Sequence, residues 1–183
     1  MIPDVSTLPE GERFSMTRRF RVPVADLWAL WTTAHGIESW CGPPGFAVTV
    51  HSIDLRVGGA LASTMTAHQP EMVAFMLANG MPTATPAQVT YTEVTPLKRL
   101  AYAHPVDFVP GVAPYHTTLA VEFSAEGDES EMRLTFQRMH DAEWTERQRM
   151  GWDMELGKLA ALLAAAGWAA DRETTVNSSG PFD

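Results

Sequence analysis

The stretch "VPVADLWALWTTAHGIESWCGPPGF", residues 22–46, changes its hydrophobic period partway along, and that change sets the architecture. Pro23 stands where a helix tolerates proline, at its first turn. Val24, Leu27, Trp28 and Trp31 follow at i, i+3, i+4 and i+7, one apolar face of a helix. His35 to Trp40 leave room for one more helical turn. Gly42-Pro43-Pro44-Gly45 then joins two fixed backbone angles to two glycines, a rigid corner. Past it the period falls to two: Phe46, Val48 and Val50 alternate with Ala47, Thr49 and His51, as in a strand.

Working outward, "RFSMTRRFRV" (13–22) reads as a strand before the helix pair, and Gly58-Gly59 as a tight turn into "ALASTMTAH" (60–68). Further strands are expected at 87–94, 99–104, 116–125 and 130–139. Within 69–86, Met72, Phe75 and Met76 repeat at helical spacing between bracketing prolines, which predicts an inserted, lid-like helix. Residues 105–114 carry too many prolines for a central strand. Asp141 is a good N-cap for a long last helix, whose stripe is Trp144, Gln148, Trp152, Leu156, Leu159 and Leu163. Gly151 and Gly157 cost that helix about 1 kcal/mol each, a cost accepted for close packing or to leave room beneath it. Residues 1–12 read as a flexible leader, 13–168 as one domain and 169–183 as a polar, unstructured tail. Consecutive strands joined by short turns predict an antiparallel sheet with helices on one face, an α+β fold.

Composition narrows the function. With 45% hydrophobic and 19% charged residues the chain can bury a core. A net charge of −9 argues against a phosphate-binding surface, so no nucleic acid is expected, and it disfavours anionic membranes. The start lacks the basic and apolar pattern of a signal peptide. The apolar tract 159–170 is about half the roughly 20 residues that span a bilayer. A cytoplasmic protein without membrane insertion is expected. A single cysteine can form neither an internal disulfide nor a zinc cluster.

Four blocks resemble one family. "VPVADLWALWTTAHGIESWCGPPGF" (22–46), "VHSIDLRVGGALASTM" (50–65), "TYTEVTPLKRLAYAH" (90–104) and "MGWDMELGKLAALL" (150–163) are similar, in order, to the branch of the START-like, or SRPBCC, superfamily named for activators of heat-shock-protein-90 ATPase. The resemblance implies a helix-grip fold, a curved antiparallel sheet around the long C-terminal helix. It also implies a lipid-binding-like cavity for hydrophobic small molecules between the two. Eukaryotic activators similar to this branch carry an additional N-terminal domain, whereas this chain begins about a dozen residues before its first strand. A chaperone partner is therefore the last-ranked reading, and a homodimer stays open.

The residues themselves carry no strong catalytic signature. Cys41 is either a small structural residue at the corner or a reactive thiol, which would need a His or Lys partner. The six histidines show no metal-ligand spacing, so neither metal nor cofactor is expected. His51, Tyr102, His104 and His116 lie on expected strands and are the candidates for acid–base work. Ten methionines suit an adaptable apolar surface. Trp40, Met72, Phe75, Met76, Tyr91, Phe108, Met150 and Trp152 are the candidate ligand-binding residues. Two readings follow: a binder of a hydrophobic or aromatic small molecule, and a polyketide cyclase- or dehydratase-like enzyme on the same cavity.

Overall fold

The computed structural model describes residues 2–165 and the backbone of 170–177. In chain order it contains β1 (Arg13–Phe20), α1 (Val24–Thr32), α2 (Ala34–Trp40), β2 (Phe46–Ile53), β3 (Ala60–Ala67), α3 (Pro70–Ala78), β4 (Ala84–Thr95), β5 (Arg99–Val106), β6 (Tyr115–Glu126), β7 (Glu129–Gln137), α4 (Ala142–Ala165) and β8 (Ala170–Asn177). All strands join one antiparallel sheet in the order β2-β3-β4-β5-β6-β7-β1-β8. Helices α1, α2 and α4 pack their apolar sides against one face of it, so the α+β helix-grip expectation holds.

Strand alternation builds the core. On β1, Phe14, Met16, Arg18 and Phe20 turn inward while their neighbours face out. Phe14 stacks on Phe136 of β7 at 4.8 Å, and Met132 and Leu134 beside it are fully buried. Helix α4 lays Leu156, Leu159 and Leu163 onto this surface. Its start is capped as the sequence predicts: the Trp144 amide donates to Asp141 Oδ1 at 2.7 Å. A Cβ built on Gly151 or Gly157 would meet no atom within 4 Å, so these glycines are not there for close packing.

Both chain ends depart from expectation. The leader forms two 3-10 turns, and Val5 is buried on the convex face against Ala101 and Ala120. Two small alanines leave a shallow dent there, which Val5 fills. Arg99 fixes the same segment by binding Asp4 at 2.6 Å and Glu93 on the other side. At the other end, residues 170–177 of the expected tail pair with β1 as an eighth strand.

Strand β2 is an outer edge of the sheet. A bulge interrupts its ladder between Val50 and Ser52. Glu38 of α2 reaches over and accepts the Val50 N–H at 2.7 Å.

A polar cluster beneath the C-terminal helix

The corner after α2 is held by α4. Gly42 and Gly45 take φ of 86° and 90°, which any side chain would strain. The Gly42 N–H donates to Glu155 Oε2 at 3.1 Å. The Lys158 ammonium donates to the carbonyls of Cys41 and Gly42 at 3.2 and 2.7 Å. Glu155 and Lys158, three residues apart, thus grip the corner by its backbone. The Lys158 donors are spent on carbonyls rather than on the thiol.

Around this grip lies a set of uncharged but ionisable groups. Burial pushes the Glu155 carboxyl up to about 7, although the Gly42 N–H and the Lys158 charge pull it down. Burial also pushes up the Cys41 thiol, with Glu155 adding to it and Lys158 opposing. The Tyr102 phenol rises well above its ordinary value through burial, and Cys41, Glu155 and Tyr91 all act on it. Tyr91 on the neighbouring strand is pushed up to about 12 by burial, and the two rings meet edge-on at 6.4 Å. At neutral pH the thiol and both phenols therefore offer S–H and O–H donors, and Glu155 is divided between acid and carboxylate.

Two further observations concern unmet polar capacity. Tyr91 Oη is buried with no hydrogen-bond partner among the described residues, and so is Gln148 Oε1. Buried orphans of this kind are uncommon and each asks for a partner. Gln148, Gly151 and Glu155 occupy i, i+3 and i+7, one flank of α4. Cys41, Tyr102 and Glu155 keep accessible surface yet are enclosed deeply enough for desolvation to dominate their titration. An open groove of about 680 Å³, lined by Val24, Leu97 and Phe123 among others, shares no residue with this cluster.

The candidate residues divide. Tyr91 and Tyr102 belong to the cluster; Trp152 lies on the same helix, half-buried and stacked on Trp31 at 5.9 Å. Trp40 is instead wholly in the core, its indole N–H donating to the Leu30 carbonyl at 2.9 Å. Met76 is buried and Met72 half-buried beside Gly45, whereas Phe75 on the other side of α3 is 57% exposed. Phe108 is exposed and rests on Trp144 at 5.7 Å. Met150, half a helical turn from the Leu156–Leu163 stripe, faces solvent.

His51 sits at the β2 bulge on the convex face, bonded to Thr64 at 2.7 Å. His116 is exposed on that face too, because it falls out of phase with buried Thr117 and Leu119. His104 shares the concave face with Tyr102, two residues away; burial holds its imidazole below the usual range, and the charges acting on it are Asp107 and His116. Among the described residues no group of His, Cys, Asp or Glu is arranged to hold a metal. Glu155 was not anticipated, and Gln148 was expected only as part of the α4 stripe. The helical phase could have found Glu155, which adjoins Leu156 at the border of the apolar stripe.

The comparisons agree with this architecture. Residues 21–164 match the family model described as Activator of Hsp90 ATPase homolog 1-like protein. Protein CV1439 from Chromobacterium violaceum is similar at 22% identity and a TM-score of 0.67, over 82% of this chain and 96% of that one. The AHSA1 protein from Silicibacter pomeroyi gives 22% and 0.64, over 84% and 99%. CalU16 from Micromonospora echinospora gives 21% and 0.58, over 88% and 83%. At these identities the likeness speaks for the fold alone. No curated protein matches the sequence significantly. The match spans residues 21–164, well over half of the chain, and the chain belongs to the Activator of Hsp90 ATPase homolog 1-like family, within the START-like superfamily.

Proposed function

We propose that this protein binds a mainly apolar small molecule in a cavity between the concave sheet face and α4, in the cytoplasm. The observation that carries the reading is the Tyr91 hydroxyl, buried beside Tyr102 and without a partner among the described residues. Stability alone would favour phenylalanine there, because an orphaned buried hydroxyl costs roughly 1–3 kcal/mol. A bound molecule would give that oxygen its partner. Apolar area would supply most of the affinity, at about 25 cal/mol per Å², and the polar cluster would set orientation.

Native mass spectrometry of the purified protein, followed by denaturing extraction, tests this. The expected result is a reproducible adduct of small-molecule mass that Tyr102→Trp, which fills the space, no longer retains. A bare mass, unchanged after incubation with an apolar extract, would overturn the reading.

A second reading, an enzyme of cyclase or dehydratase type, gains from one observation. Glu155 titrates near neutrality beside a phenol, the condition under which one carboxyl can both give and take a proton. Turnover of the extracted molecule by the wild type, lost in Glu155→Gln while binding persists, would establish it.

A further inference from the structure

The chemistry of the cluster says more about the molecule than its size does. This step rests on the ligand-binding reading above. Lys158 is the cation nearest the corner, and its ammonium is engaged by two backbone carbonyls. It keeps its charge, with two of its three N–H groups held by those carbonyls. Glu155 spends one oxygen on the Gly42 N–H, leaving the other to carry its proton. Tyr91 Oη is orphaned, and the Tyr102 phenol has no hydrogen bond to protein among the described residues. Tyr91 on β4 thus adjoins Tyr102 on β5, and Tyr102 in turn feels Glu155 on α4.

We infer that this cluster recognises a carbonyl-type hydrogen-bond acceptor on an otherwise apolar, uncharged molecule, through Tyr91, Tyr102 and the protonated Glu155. An anion would have to share Lys158 with the two carbonyls it already binds and would face a carboxyl ready to ionise. A plain hydrocarbon would leave all three donors unmet, and a site built around buried polar groups rejects analogues that lack the matching atom. A ketone, lactone or quinone oxygen supplies the kind of acceptor these donors lack.

The same arrangement makes recognition depend on pH. The groups facing Glu155 are Lys158 on its own helix, Cys41 at the corner, and Tyr102 on β5 with Tyr91 behind it. The thiol and both phenols stay protonated well past neutrality, and His104 loses its proton below it. Glu155 is thus the member of this set that changes state between about pH 6 and about pH 8.5. When it ionises, one donor becomes an acceptor and repels the carbonyl oxygen.

Equilibrium dialysis against three matched pairs tests the inference: acetophenone with ethylbenzene, acetonaphthone with ethylnaphthalene, and fluorenone with fluorene. Each affinity is normalised to the probe's own water–cyclohexane partition. At about pH 6 the ketone of the best-fitting pair is expected to win by roughly tenfold. The preference should shrink several-fold at about pH 8.5. Glu155→Gln, whose amide N–H replaces the acid O–H, should keep the preference at both pH values, and Tyr91→Phe should lower it at both. Equal binding of ketone and hydrocarbon, or a ketone preference indifferent to pH in the wild type, overturns the inference while leaving the cavity intact. Failure of every probe to bind overturns the cavity reading and this one with it. The wild-type pH comparison needs no variant to fold.

Discussion

The β6-β7-β1 half of the sheet and the half running from β2 to β5 share one backbone pattern but treat their inward side chains in opposite ways. Under the first half, Phe14, Met16, Met132, Leu134 and Phe136 meet Leu156, Leu159 and Leu163 with next to no accessible surface. Under the second, Tyr91 is unpartnered, and Tyr102 and Glu155 keep accessible surface. One half is filled for stability. The other carries polar groups that stability does not ask for, and such a departure from good packing is where function is sought.

Breaking the filled half should have the largest effect. Phe136→Ala removes a ring that stacks on Phe14 and touches Trp152 at 5.4 Å, and urea unfolding should show a loss of about 3–5 kcal/mol. A small loss would mean that this half is loosely packed too, and the contrast would go.

The next effect sharpens the other half. Glu155 holds its proton up to about 7 when folded and to its ordinary 4.5 when unfolded. Between these values the native state binds the extra proton, so stability is fully present at low pH and falls as pH rises. Glu155→Gln removes that slope. Relative to wild type it should gain on the order of 3 kcal/mol between about pH 4.5 and about pH 8, read by urea unfolding at both. Parallel curves for the two proteins would show that Glu155 is solvated.

Smaller changes follow. Tyr91→Phe deletes an unmatched buried hydroxyl and should stabilise the ligand-free protein by about 1 kcal/mol; destabilisation would reveal a protein partner for that oxygen. Gly157→Ala, on the exposed side of α4 with open space around it, should add about 0.5–1 kcal/mol through helix propensity alone. A loss there would mean that the glycine serves a contact made in use.

The two halves also differ in how far the sequence announces them. The filled half is written in alternation on the strands and in the leucine stripe of α4, and its register follows from burial. The corner is equally plain, since Gly-Pro-Pro-Gly admits few backbones. His51 could not be placed from the pattern because facing depends on single residues: the bulge at Val50 and Ser52 leaves it on the convex side. Tyr91 and Tyr102 could be named as candidates, but their pairing across β4 and β5 comes from the register. Glu155 stays hidden because its character is made by the fold. A glutamate in a helix reads as solvated until a backbone corner folds over it.

The edge strand β2 has a consequence of another kind. An unpaired strand edge invites a second chain to add itself and begin a growing ribbon. Here the bulge breaks the straight run of backbone groups, and Glu38 occupies the Val50 amide that an incoming strand would seek. The edge is thereby retired from self-templating, and a protein with 45% hydrophobic residues can reach high concentration without its copies zipping together along that side.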